Sequence, residues 1–242
     1  MIVVLAIDAL EYDLVEKFQC RNLMQKFYGK TDISEFSEPR TMVLWSSFMT
    51  GINMEQEILT LGDKGMWNAR IETDRTFFSK FVNPAIIDLP GYNYETFQHE
   101  EERTLLKKFF DAEHHSEKDS VRESYNQLAF EHHKKIKHDF MNVIRESHDL
   151  VLGYFSVADV IGHLNFGNTF LMKMIYQDLD EIAGGIDSPF LVVSDHGMKP
   201  VGYFGDHSSY GFWSSGEHDL GVPKITDFPG IILDLFHEQR GA

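Results

Sequence analysis

Three short apolar runs stand out in a chain that is otherwise mixed: Ile2 to Ile7, Leu150 to Phe155 and Phe190 to Val193. None shows the alternation of a strand with one wet face, so each reads as a strand buried on both sides, as in a parallel sheet covered by helices. Ala85 to Leu89, just ahead of Pro90 and Gly91, reads as a further strand. Between these runs the chain reads helical over Asp13 to Phe27, Leu44 to Thr50, Arg75 to Val82 and Phe170 to Ala183. From Tyr92 to Ser147 it is charged, rich in histidine and nearly free of Gly and Pro after Gly91, which suits one or two long amphipathic helices. The pattern predicts an α/β fold with a mostly parallel central sheet. It also predicts one catalytic domain over residues 1–242, with residues 92–147 as a helical insertion or crossover packed on the sheet. The histidines of that segment, His114, His115, His132, His133 and His138, read as solvated surface, because no paired acids stand beside them at ligand spacing.

The three main apolar runs share a second feature, since each leads to an acid: Asp8, Asp159 and Asp195. The carboxyl ends of parallel strands form the edge where ligands bind, so acids far apart in sequence can converge there. The plain alternative is that each aspartate caps the helix that follows. Asp159-Val-Ile-Gly-His163 places a carboxylate and an imidazole on one face of a helical turn, a pair able to hold a metal ion or simply to face solvent. Asp195-His196 ends a very apolar run, and Gly197 permits a tight turn there. The loop Gly205 to Gly211 offers His207 as a further ligand, and His218 competes with it. Thr41 stands just before the helical reading at Leu44, where free N–H groups and the helix dipole favour an anion. It is either a nucleophile or a helix cap.

Composition narrows the chemistry. The net charge of −16 argues against a broad nucleic-acid-binding face and a stable nucleic-acid complex. The single cysteine, Cys20, excludes an internal disulfide framework and thiolate-held zinc, so any metal falls to histidine and carboxylate. The N-terminal run reaches Asp8 too soon for a signal peptide, and no stretch approaches the roughly 18 apolar residues of a membrane span. A cytoplasmic protein without membrane attachment is the expectation. Two divalent ions against Asp8, Asp159, Asp195 and a Thr41 alkoxide would give a neutral site, and oxygen with imidazole ligands suits Zn²⁺ or Mn²⁺ better than Mg²⁺.

In their order the motifs resemble the alkaline phosphatase superfamily, and within it the type I phosphodiesterase and nucleotide pyrophosphatase family in its compact archaeal-type form. The resemblance rests on the strand ending at Asp8, on Thr41 ten residues before Gly51, on Asp159-x-x-Gly-His163, on Ser194-Asp195-His196-Gly197-Met198 and on Gly205-x-His207. Lys224 to Phe228, leading into Ile231 to Leu235, looks like the family's closing strand and helix. The resemblance implies an alkaline-phosphatase-like three-layer sandwich. It also implies Asp8, Thr41, Asp195 and His196 around one metal, and Asp159, His163 and His207 around the other. Thr41 would attack phosphorus and form a phospho-threonine that water then hydrolyses. The substrate would be a small phosphate ester or nucleotide. Leu44 departs from the asparagine that the eukaryotic enzymes carry three residues after the nucleophile, and the segment from Gly51 to Asp159 is short for the family. Trp45, Tyr210 and Trp213 are candidates for a leaving-group pocket or for core. The competing functions are a phosphoglycerate-mutase-like phosphotransferase, which normally needs a second large domain, and a non-catalytic metal-binding module. A sulfatase-like hydrolase would need Cys or Ser in place of Thr41.

Overall fold

A computed structural model describes residues 1–241; Ala242, the last residue of the expected domain, lies outside the described residues. In chain order the elements are β1 (Ile2–Ile7), α1 (Tyr12–Lys17), α2 (Arg21–Met24), β2 (Phe27–Asp32), α3 (Thr41–Thr50), α4 (Glu55–Leu59), α5 (Gly62–Met66), β3 (Pro84–Ile87), α6 (Thr96–Asp111) and α7 (His115–Val143). They continue with β4 (Leu150–Phe155), α8 (Val157–Asn165), α9 (Thr169–Gly184), β5 (Phe190–Ser194), β6 (Met198–Val201), β7 (Phe204–His207), β8 (Tyr210–Ser215) and α10 (Phe228–Gly241).

The central sheet has the order β2-β8-β5-β1-β4-β3. Strand β1 pairs in parallel with β4 on one side and β5 on the other, and β3 adds to β4 in parallel. Strand β8 pairs antiparallel with both β5 and β2. Every residue of β1 is buried, and the period of two divides them between two cores. Ile2, Val4 and Ala6 pack with residues of α3 and α10, whereas Val3, Leu5 and Ile7 pack with α7, α8 and α9. The result is the expected α/β three-layer arrangement, a mostly parallel sheet with helices on both faces. Contact between the α7 layer and the sheet is tight, because a Cβ on Gly153 of β4 would collide with the ring of Phe140. Among the described residues no helix is long and apolar enough to cross a membrane.

Several sequence expectations are corrected here. Asp13 to Phe27 is not one helix: left-handed backbone at Gln19 (φ 56°) and Gln25 (φ 50°) breaks it into α1 and α2, and Phe27 already begins a strand. The Asp180 carboxylate fixes the second piece by accepting the N–H groups of Asn22 and Leu23 at 2.8 and 2.9 Å. Strand β2 escaped notice because it is a half-exposed edge strand without apolar alternation. Arg75 to Val82 forms two 3₁₀ turns, Thr73–Arg75 and Phe77–Lys80. The supposed loop from Gly205 to Gly211 is mostly strand, belonging to β7 and β8. The closing strand at Lys224 is a single bridge to Asp32 followed by a 3₁₀ turn, although the helix after it is present as α10. The 92–147 segment does form two helices, α6 and α7, but His132 and His133 of α7 are buried rather than solvated. Their acids arrive from distant elements: Asp88 and Glu102 for His132, and Asp178 for His133.

Candidate metal centre

Parallel strands deliver aspartates to one edge of the sheet. Asp8 lies just past β1, Asp195 just past β5, and Asp159 in the first turn of α8 after β4. Asp8, Asp195 and His196 bring their ligating atoms within 4.8 Å of one another, and Asp159, His163 and His207 do likewise. In the first group His196 Nε2 lies 3.4 Å from Asp8 Oδ1 and 3.4 Å from Asp195 Oδ2. In the second, Asp159 Oδ1 lies 3.2 Å from His163 Nε2 and 3.5 Å from His207 Nε2. Atoms sharing one tetrahedral ion at zinc-like bond lengths are about 3.3 Å apart, so both spacings match a common ion. The two groups adjoin, with the rings of His196 and His207 stacked at a centroid distance of 3.8 Å.

The donor atoms fit such ions in a second way. Among the described residues, Asp8 Oδ1, Asp195 Oδ2, His196 Nε2 and Asp159 Oδ1 are buried without a hydrogen-bond partner. Each buried polar atom left so costs about 1–3 kcal/mol, and these four face two ligand groups. The imidazoles are already oriented: His196 Nδ1–H donates to the Gly197 carbonyl at 3.1 Å and His163 Nδ1–H to the Gly205 carbonyl at 3.3 Å, the tautomers that satisfy both carbonyls. In the neutral ring each would leave Nε2 with its lone pair toward the carboxylates, the arrangement a metal-binding histidine needs.

Electrostatics point the same way. Burial, then the charges of Asp195 and Asp159, push Asp8 well above the usual carboxylate range; burial and Asp159 do the same to Asp195. Burial holds His196 well below the ordinary imidazole value. For Asp159 burial is outweighed by His163 and His207, which hold it well below the usual range. His163 in turn rises to about 9, against its burial, because the Asp159 carboxylate faces it. The crowding that raises Asp8 and Asp195 is what a divalent cation relieves.

A supporting shell fixes the loops. The Tyr154 hydroxyl donates to Asp8 Oδ2, and the Ala9 N–H to Asp195 Oδ1 at 3.4 Å. Ser194 Oγ accepts the Leu10 N–H at 2.9 Å and donates to the His196 carbonyl at 2.7 Å. Buried Glu11 accepts the Met198 N–H at 2.9 Å and the Tyr210 hydroxyl at 2.6 Å. Gly197 sits so close to the Glu11 carboxylate and the Ser208 hydroxyl that a Cβ there would collide with both.

Thr41 is the first residue of α3, and the capping position belongs to Arg40, whose side chain makes no cap. Thr41 lines a cavity of about 360 Å³ together with Asp8, Asp159, His163 and His207. Of the two competing histidines, His207 is in the cluster, whereas exposed His218 pairs with Glu238 at 2.9 Å. Trp45 and Trp213 are core, and the Tyr210 hydroxyl is engaged by Glu11. The aromatic wall of the cavity is formed instead by Trp67 and Tyr94, stacked with centroids 6.4 Å apart, and the Arg103 guanidinium lies 4.2 Å over Trp67. Arg40 also lines the cavity, paired with Glu38 at 2.7 Å and Asp63 at 2.8 Å. Arg40 was legible as a cation beside Thr41; nothing in the sequence around Trp67 marks it as a wall. Leu44 is buried in the core below α3.

No protein-family model matches the sequence, and no curated protein matches it. Among solved structures the chain is similar to murine ectonucleotide pyrophosphatase/phosphodiesterase 5, at 13% sequence identity over 83% of this chain and 58% of that one, with a TM-score of 0.46. An inactive form of the same murine protein in complex with AMP matches at 12% identity over the same shares, with a TM-score of 0.45. The chain thus spans less than two thirds of the length of these neighbours.

Proposed function

We propose that this chain is a two-metal phosphohydrolase of the phosphodiesterase or nucleotide pyrophosphatase type, acting through a covalent phospho-threonine at Thr41. The observation that carries the reading is a pair of adjoining ligand groups, four of their buried atoms unpartnered, that reach one cavity through Asp8, Asp159, His163 and His207 beside a threonine that opens a helix. Asp8, Asp195 and His196, joined by Thr41, would hold one divalent ion, and Asp159, His163 and His207 the other. Zn²⁺ suits this donor set best and Mn²⁺ next. Such ions, when bound, supply a lowered pKa at the threonine hydroxyl and charge stabilisation for the phosphoryl group in flight.

The chain's own residues do the rest. Thr41 Oγ1 loses its proton and forms a bond to phosphorus as the ester P–O bond opposite breaks, and the leaving oxygen takes up a proton and departs as the alcohol. Water then cleaves the Oγ1–P bond and restores the hydroxyl. The free N–H groups of the first turn of α3 face the negative charge on phosphorus. Arg40 and Arg103 add positive charge at the wall, and Trp67 with Tyr94 offers a flat apolar surface to a leaving group such as a nucleoside. A small phosphate ester or nucleotide matches a cavity of about 360 Å³. We take residues 1–242 as one catalytic domain in which 92–147 forms part of the cavity wall, and the cytoplasm as its compartment. The test is turnover of bis(p-nitrophenyl) phosphate beside p-nitrophenyl phosphate by chelator-stripped protein restored with Zn²⁺ or Mn²⁺. Metal-dependent diester cleavage is the expected result. An inert protein with two ions demonstrably bound would overturn the reading.

A further inference from the structure

Away from the two groups just described, a third set of imidazoles and carboxylates is buried where β3, α6 and α7 meet. We infer that Asp88, His99 and His132 form a further metal site, suited to Zn²⁺ or a similar divalent transition ion, with Glu102 orienting the His99 ring from behind. Asp88 follows β3 in a left-handed backbone conformation (φ 57°), its Oδ1 accepting the Glu95 N–H at 2.7 Å. Its Oδ2 lies 3.1 Å from His99 Nε2 and 3.0 Å from His132 Nε2. The three ligating atoms lie within 4.8 Å of one another, and all three residues are at least 95% buried.

Hydrogen bonding holds His99 between Asp88 (3.1 Å) and Glu102 (2.9 Å) but leaves His132 Nε2 out. His132 Nε2 points into the group and has no hydrogen-bond partner, although the Asp88 oxygen is only 3.0 Å away. A buried nitrogen about 3 Å from a carboxylate oxygen without hydrogen-bond geometry, as for His132 and Asp88, is what ligands around one ion look like. His99 Nδ1 lies 2.9 Å from Glu102 Oε2, so with its proton on Nδ1 the ring would turn Nε2, now hydrogen-bonded to Asp88, to an ion between them. This carboxylate–histidine pairing behind the ligand atom is the usual backing of a metal-bound imidazole. The Tyr94 ring clamps His99 further, stacked at 3.6 Å and 7°.

Charge closes the argument. Asp88 and Glu102 bring two carboxylates into a buried space beside the two imidazoles, a donor set whose formal charge one divalent ion matches. Two imidazoles in the set disfavour Mg²⁺ and Ca²⁺. An ion here would bind the end of β3 to both helices of the 92–147 segment, and through Tyr94 it would stiffen the cavity wall that Tyr94, His99 and Glu102 help to form.

The experiment counts ions by atomic emission on the full chain, stripped with chelator and re-equilibrated with Zn²⁺. The wild type is expected to bind three equivalents. Asp159→Ala with Asp195→Ala, which removes a carboxylate from each of the other groups, should retain one. His99→Asn with His132→Asn should lose one from the wild type and the last one from the Asp159/Asp195 variant. Should the catalytic reading alone be wrong, the wild type binds a single ion and still loses it in the His99/His132 variant. The inference is overturned if the His99/His132 variant binds as many ions as the wild type. It is equally overturned if the folded Asp159/Asp195 variant binds none. Glu102→Gln keeps all three ligands and guards against misfolding of the double variant: it should weaken this one zinc affinity roughly 10- to 100-fold. Unchanged affinity in Glu102→Gln would count against the site.

Discussion

The edge of the sheet and the helical layer over it use the same side chains in opposite ways. At the edge, Asp8 and Asp195 are placed by strands that pair side by side, and their loops are pinned by backbone hydrogen bonds from Ala9, Leu10 and Met198. Under α6 and α7 the imidazoles stand on helices and meet acids that come from β3, α6 and α9. The first arrangement fixes its side chains through the backbone, and a Cβ at Gly197 in its turn would collide with Glu11 and Ser208. The second fixes them through side-chain packing, so its integrity depends on how the helices dock.

The sharpest way to separate the two regions is Thr41→Ala. If chemistry belongs to the edge, diester turnover should fall by roughly 10³-fold or more, while zinc content and thermal midpoint stay near those of the wild type. Full activity in this variant would sink the phospho-threonine route. Phe140→Ala attacks the other region. Phe140 is fully buried, packs edge-to-face on Phe155 at 5.5 Å and presses on Gly153, so its loss should cost about 3–4 kcal/mol in urea unfolding. A loss below about 1 kcal/mol would mean that α7 is not anchored through this contact.

How much of each region the sequence disclosed follows from the same difference. An apolar run that ends in an acid is a local signal, and it led to Asp8, Asp159 and Asp195, which do converge on one edge. Applied to Ala85 to Leu89, the same rule marks Asp88, which ends a parallel strand of the same sheet yet drew no attention inside its run. His132 and His133 were unreadable because a helix shows its neighbours at three and four residues, and neither partner lies there. Strands β2 and β8 were missed for a related reason: antiparallel pairing at the sheet margin leaves no long apolar run to see. The segment from Gly51 to Asp159, short as it is, concealed Trp67 and Arg103, whose shared wall exists only once Trp67, just past α5, meets α6.

Glu11 joins the edge to its turn, and Glu11→Gln tests how rigidly. The amide keeps the volume and can still accept one bond, but the charged acceptor for Met198 N–H and the Tyr210 hydroxyl is lost. About 2 kcal/mol of stability should go with it, and diester turnover should fall far less than in Thr41→Ala. If stability is unchanged, the turn carrying Asp195 and His196 is held by other contacts.

The smallest expected effect concerns how α7 is tied to α9. Asp178 accepts from His133 at 2.7 Å and from Lys137 at 2.7 Å, and the His133 hydrogen bond, opposed by burial and aided by Lys137, lowers its carboxyl to about 2. Unfolded, the group titrates near 3.9. A depressed carboxylate stabilises the fold fully above its unfolded value and loses that contribution as the pH falls toward the folded one. Because about a third of the Asp178 side chain is exposed, screening reduces the stabilisation to about 1 kcal/mol. Asp178→Asn should therefore unfold at lower urea than the wild type at pH 6–7, by about that amount. The gap should shrink to about half by pH 3 and fade toward pH 2. A gap that holds constant from pH 7 to pH 3 would show that the side chain acts through packing rather than charge. In that case the helical layer, unlike the sheet edge, would owe its docking to apolar contacts such as Phe140 on Gly153 and little to its buried ion pairs.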